Sequence, residues 1–225
     1  MIRNLTKLIA VVLVTATFAF AGQAILGGKR VKPVDKVTQN KISKEEQAKL
    51  ETIDLGAGCF WCIEAVLERV KGVMTVESGY MGGQTKNPTY KEICTGTTGH
   101  AEIVRVKFNS KELSFDKLLE VFWELHDPTT LNRQGADEGT QYRSAIFYHN
   151  EEQKKVAENS RAKKNKSGKF DSPIVTEITK ISKFYPAEDY HQDFFDNNKT
   201  FGYCRAVIWP KLAKLGMLKE EYKFL

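Results

Sequence analysis

Apolar and polar positions alternate in two rhythms along most of this 225-residue chain. A short run from Thr52 to Leu55, closed by Gly56, predicts a strand. Helical spacing of Ile63, Val66, Leu67 and Val70 predicts a helix that opens at Gly58-Cys59 and stops at Gly72, with Glu64, Glu68 and Arg69 elsewhere on the wheel. Val73 to Ser78 reads as a strand and Gly79 to Gly83 as a turn. Asn87-Pro88-Thr89 leads into a short helix over Tyr90 to Cys94. Strict alternation from Ala101 to Phe108 predicts a strand, and Phe115 to Leu125 an amphipathic helix. Ser144 to Tyr148 and Ile174 to Ile181 read as strands, with a charged helix, Glu151 to Lys164, between them. Beyond Phe184 the chain is aromatic and loop-like, with a helix expected at Glu188 to Asp196. Interleaved strands and helices predict an α/β (α+β) two-layer sandwich, a mixed β-sheet with packed helices in one domain.

The N-terminal quarter follows neither rhythm. Arg3 and Lys7 precede an apolar run, Leu8 to Phe20, and Ala19-Phe20-Ala21 resembles a small-residue cleavage site. Residues 1–21 are therefore expected to be an export signal, 22–51 a polar linker, and 52–225 the folded domain with a C-terminal tail. Ser43-Lys44-Glu45-Glu46 could open a short helix in the linker. The expected destination is the periplasm or the medium, with no stable membrane span once the signal is removed. The alternative is a signal retained as an anchor. The formal charge of +6 is concentrated in the same region: residues 1–51 carry nine Lys/Arg against four Asp/Glu, and the remainder is nearly balanced. A basic groove for nucleic acid is not indicated on the domain.

Four cysteines remain to be explained, Cys59, Cys62, Cys94 and Cys204. Cys59 lies between Gly58 and the first turn of a helix, where free backbone N–H groups favour an anion, so a stabilised thiolate and a nucleophilic sulfur are expected. Cys62 stands three residues on. Cys94, within a short helix, is expected to be packed. Phe60 and Trp61 cannot both enter one core, so one or both could wall a pocket beside the sulfur. Glu102 shares strand parity with Val104, Val106 and Phe108, whereas Arg105 and Lys107 face the other way. A carboxyl group on an apolar face holds its proton to higher pH, which suits general-acid work.

Seven collinear blocks then resemble one family. They are Gly58-Cys59-Phe60-Trp61-Cys62, Gly79-Tyr80-Met81-Gly82-Gly83, Asn87-Pro88-Thr89-Tyr90, Thr98-Gly99-His100-Ala101-Glu102, His126-Asp127-Pro128, Gly139-Thr140-Gln141-Tyr142-Arg143-Ser144 and Ala187-Glu188-Asp189-Tyr190-His191-Gln192. In order and spacing, from about Leu55 to Lys211, the chain resembles the A-type peptide methionine sulfoxide reductases (the MsrA family).

The resemblance implies thiol-dependent reduction of methionine-S-sulfoxide, free or in proteins, and hence repair of oxidised proteins. It makes Cys59 the nucleophile and Glu102 the acid. Tyr90 and Tyr142 would hold the sulfoxide oxygen, and Asp137 the substrate and a water. Phe60 and Trp61 would receive the ε-methyl group, with His191 in support. Cys204, in Gly202-Tyr203-Cys204, resembles a resolving cysteine on a C-terminal segment, and Cys62 is the alternative. No cofactor or metal is implied. The reductant is an external thioredoxin-like dithiol, and the enzyme is expected to be a monomer. Phe194 stands where some members have tyrosine.

Rival readings are a thioredoxin-like dithiol exchanger, which also opens a helix with CxxC, and a metal module on Cys59 and Cys62, which lacks a second paired motif. A third is a binding protein without catalysis, which would tolerate Cys59→Ser.

Overall fold

The computed structural model describes residues 25–26, 29–30 and 50–218. The export signal, most of the linker and the expected helix at Ser43 lie outside the described residues. Strands β1 (Ile25–Leu26) and β2 (Lys29–Arg30) pair antiparallel within the stretch read as linker.

The domain is organised by a six-stranded sheet. Its strands are β3 (Glu51–Ala57), β4 (Val73–Met81), β5 (Ala101–Phe108), β8 (Ser144–Tyr148), β9 (Glu177–Lys180) and β10 (Tyr185–Pro186), in the order β10-β4-β5-β3-β8-β9. Every pairing is antiparallel except β8 with β9. A two-residue ribbon, β6 (Arg133–Gln134) and β7 (Asp137–Glu138), stands apart. The helices are α1 (Phe60–Leu67), α2 (Tyr90–Ile93), α3 (Phe115–Leu125), α4 (Glu151–Lys166), α5 (Phe194–Asn197) and α6 (Trp209–Lys214). This is the mixed-sheet sandwich that the alternating rhythms predict.

Strand parity sorts the core. Ile53, Leu55, Val104, Val106, Phe108 and Ile146 join the apolar sides of α1 and α3 in the main cluster. The opposite face carries a smaller one, Met81, Ala101, Ile103, Ala145 and Phe147. Asp54 is buried in β3 between main-cluster residues Ile53 and Leu55. Its carboxylate takes two hydrogen bonds from Arg105, at 2.8 and 3.1 Å, and lies 2.9 Å from His149 Nε2. A buried carboxylate is tolerated only with such partners.

Several local expectations are corrected. Gly79 to Met81 continue β4 instead of turning, because Tyr185 and Pro186 pair with Tyr80 and Gly79; a side chain at Gly79 would collide with the Phe184 ring. The expected Glu188–Asp196 helix is split into a 3-10 turn, Asp189–His191, and α5, because Asp193 adopts a left-handed φ of 53°. Cys94 is exposed at the end of α2, not packed. Glu64, Glu68 and Arg69, placed away from the apolar stripe, are buried as well. Helix α1 has the sheet on one side and the segment after Phe184 on the other, so it has no solvent face.

Candidate active site

The site is built on the start of α1. Gly58 turns the chain into the helix with φ 89°, and a Cβ there would meet Gln134 Cγ at 2.6 Å, so only glycine fits. Cys59 follows as the N-cap, and its carbonyl accepts from Cys62 N–H at 3.1 Å. One helical turn thus brings the two sulfurs into hydrogen-bond contact. Burial bears on both of them. Burial, reinforced by Cys62 and Glu102, pushes the Cys59 thiol well up. Cys62 accepts the Cys59 hydrogen bond and is pulled down to about 7. The two thiols thus share a proton across this contact, and burial works against the helix terminus at Cys59.

Glu102 enters from β5. Its Oε2 accepts the Phe60 N–H at 3.1 Å, one of the free donors of the first helical turn. Despite that bond, burial raises its carboxyl to about 8, with the charges of Asp137 and Cys62 adding to the effect. At neutral pH most Glu102 carries a proton. The parity argument from Val104, Val106 and Phe108 located this group correctly.

Tyr90 and Tyr142 are half-buried. Both hydroxyls are pushed up, first by burial and then by the field of Glu102, so they stay protonated and able to donate. Asp137, on β7, accepts from Tyr203 Oη at 3.3 Å, and the same hydroxyl lies 3.5 Å from Cys62 Sγ.

The aromatic pair divides its duties. Phe60 is fully buried, stacked 6.2 Å from Tyr90. Trp61 is partly exposed; its indole N–H donates to His191 Nδ1 at 3.1 Å, and Phe194 lies flat on its ring at 3.7 Å and 7°. His191 is kept neutral by burial. With Nδ1 accepting, its proton sits on Nε2, which is buried without a hydrogen-bond partner. Phenylalanine at 194 is thus a stacking partner, with its backbone N–H donated to Glu64 Oε2 at 3.1 Å.

Cys204 is buried in a π-helical turn, Cys204–Ile208, that runs into α6. The charge on Cys62 adds to burial in raising its thiol to about 11. All four cysteines are free thiols. The site residues singled out in the sequence gather around this helix start, and exposed Cys94, at the end of α2, is in hydrogen-bond contact with Tyr90. Sequence reasoning missed Tyr203, Glu64 and Glu188. Glu188 accepts from Tyr90 N–H and Tyr80 Oη, at 2.8 and 2.9 Å, and so fixes the tyrosine helix.

Among the described residues no cluster of three metal-ligating side chains occurs, and no helix is long and apolar enough to cross a membrane.

A proton donor held beside a dithiol suits a reaction that strips an oxygen atom and releases it as water, and the class so defined is a thiol-dependent reductase. Residues 51–223 match the family model for peptide methionine sulfoxide reductase, and the chain belongs to that family. The match extends beyond Lys211 and takes in most of the C-terminal tail. The chain is 56% identical over 166 residues to peptide methionine sulfoxide reductase MsrA of Saccharolobus solfataricus, covering 73% of this chain and 92% of that protein. It is 55% identical over 174 residues to the protein of the same name from Leptospira borgpetersenii, covering 77% and 97%. Among solved structures, it is similar to reduced Mxr1 of Saccharomyces cerevisiae, with TM-score 0.67, 34% identity, and 73% and 92% of the two chains covered. Methionine sulfoxide reductase A of Corynebacterium diphtheriae gives TM-score 0.64 at 35% identity, with 82% and 92% covered.

Proposed function

We propose that the chain reduces methionine-S-sulfoxide to methionine through Cys59, with Glu102 as the proton donor. The observation that carries this reading is the buried, protonated Glu102 fixed against the first N–H of the Cys59 helix. A sulfoxide oxygen leaves poorly until it is protonated. Glu102 supplies that proton while the Tyr90 and Tyr142 hydroxyls stabilise the developing charge. The sulfur of Cys59 bonds to the substrate sulfur as its own proton passes to Cys62. Oxygen transfer then leaves methionine and a Cys59 sulfenic acid. Phe60 and Trp61 hold the ε-methyl group. Asp137, tied to Tyr203, orients substrate and water.

The Cys62 thiol, already in contact with Cys59, condenses with the sulfenic acid, giving a Cys59–Cys62 disulfide and water. Cys204, within the field of Cys62, takes over the disulfide by exchange. A thioredoxin-like dithiol then reduces it, being oxidised to its own disulfide. The expected export signal places this chemistry outside the cytoplasm, in the periplasm or the medium. The S-epimer preference rests on the family resemblance.

The test is dithiothreitol-driven reduction of the separated R and S epimers of a methyl sulfoxide by wild type and Cys59→Ser. The reading expects wild type to reduce the S epimer alone and Cys59→Ser neither. Reduction of insulin disulfides without reduction of either epimer would show a dithiol exchanger instead.

A further inference from the structure

Five large apolar side chains are exposed among the described residues, and two of them, Phe201 at 52% and Tyr190 at 61%, end a continuous run of rings through the active site. Phe201 meets Phe194 edge-on at 5.7 Å, Phe194 lies on Trp61, Trp61 meets His191 at 5.6 Å, and His191 meets Tyr190 at 4.1 Å. The outer end of the run is held by design of the backbone. Phe201 N–H donates to Asn198 O at 2.9 Å, Asn198 Nδ2 donates to Phe194 O at 2.9 Å, and Phe194 N–H is anchored on Glu64. A ring that stays half in water on so defined a turn contributes little to folding. Exposed aromatic surface continuous with a site marks binding.

We propose that this run is a shelf for the polypeptide on either side of an oxidised methionine, with Phe201 taking an apolar flanking side chain. The inference rests on the reading of the site given above and deepens it, by naming a residue that reads the sequence beside the sulfoxide. The occupant follows from chemistry. Methionine in proteins is mostly buried among apolar neighbours, and its sulfoxide loosens such packing. The segment that then becomes available carries apolar residues beside the lesion. Trp61 belongs to both the proposed methyl pocket and this run of rings, so the chain flanking a sulfoxide held over Cys59 lies within reach of them.

The test compares kcat/KM for three S-sulfoxide substrates: N-acetylmethionine sulfoxide amide, a pentapeptide with Leu and Phe flanking the sulfoxide, and the same pentapeptide with Ser flanks. Dithiothreitol serves as reductant, and the proteins are wild type, Phe201→Ser and Tyr190→Ser. Wild type is expected to favour the Leu/Phe peptide over the Ser peptide about tenfold. Phe201→Ser should erase that preference through KM and leave the N-acetyl amide unchanged, with Tyr190→Ser giving a smaller loss. Equal use of both peptides by wild type overturns the shelf alone. So does a Phe201→Ser effect that is absent with dithiothreitol and appears, in a parallel assay, only in the KM of a thioredoxin-like reductant, which would make the surface the reductant's dock. Failure of wild type to reduce any of the three sinks the catalytic reading and the shelf with it.

Discussion

Two buried glutamates, Glu64 within helix α1 and Glu102 facing its start from β5, are each about 1% exposed and each have a raised pKa, yet their surroundings give them different work. Glu102 receives one hydrogen bond, from Phe60 N–H, and its neighbours are the thiols, tyrosines and Asp137 of the site. Its second oxygen is open to a substrate. Glu64 is surrounded by donors: Ser78 Oγ at 3.1 Å, Phe194 N–H at 3.1 Å, and the Asp193 backbone. Those contacts hold it lower, at about 7, and commit both oxygens to fixing the Phe194 loop. Burial alone makes a carboxyl a proton reservoir; what lies at its free oxygen decides whether the proton can be used.

The same isosteric change should therefore give opposite results at the two sites. Glu102→Gln keeps the shape but has no acidic proton to give, and kcat should fall about 100- to 10,000-fold with KM little changed. In steady-state assays, near-normal turnover would contradict the acid role. Glu64→Gln can still accept from Phe194 N–H and can donate to Ser78 Oγ, so kcat should stay within about threefold of wild type. A collapse of turnover there would erase the distinction between the two carboxyls.

The Trp61 wall gives an intermediate effect. Phe194→Ala removes the ring lying on the indole, and kcat/KM should fall about tenfold while the Cys59 thiol still reacts with an alkylating reagent at its wild-type rate.

The pH dependence sharpens the comparison further. Turnover needs protonated Glu102, so kcat should fall as pH rises through about 8, and Glu102→Gln should lack that limb. Stability follows the same sign. Both carboxyls have folded pKa values above their unfolded values, so their contribution is fully present below pH of about 4.5 and is lost as pH rises, through about 7 for Glu64 and about 8 for Glu102. Urea midpoints measured across that range should decline in wild type and decline less in Glu64→Gln. Glu64→Ala should also cost about 1–3 kcal/mol of stability from the orphaned Phe194 and Asp193 N–H groups, read from the same urea midpoints.

Strand β5 and helix α3 were legible because their faces differ: one is apolar, and on β5 the other carries Arg105 and Lys107. Glu102 was found by that parity. Glu64 was not, because with Glu68 and Arg69 it reads as the solvent side of α1, whereas that side is covered as well. The second cover comes from residues after Phe184, whose positions depend on contacts far along the chain: Trp61 with His191, Glu64 with Phe194, Cys62 with Tyr203. Local periodicity holds no record of such contacts. His191 and Asp137 were reached through motif resemblance, whereas Tyr203, inside a quoted motif, was given no role. The Gly79–Gly83 stretch misled because glycines usually mark turns, but Gly79 serves close approach of Phe184.

The central claim is that the substrate's oxygen passes to Cys59, and a single-turnover experiment tests it most directly. Reduced Cys62→Ser/Cys204→Ser protein would be mixed with one equivalent of methionine-S-sulfoxide, quenched with a sulfenic-acid trap and mapped by peptide mass spectrometry. The account predicts one methionine formed per enzyme, with the trap on Cys59. Methionine formed with the trap elsewhere, or no methionine formed while the thiol remains free, would contradict it.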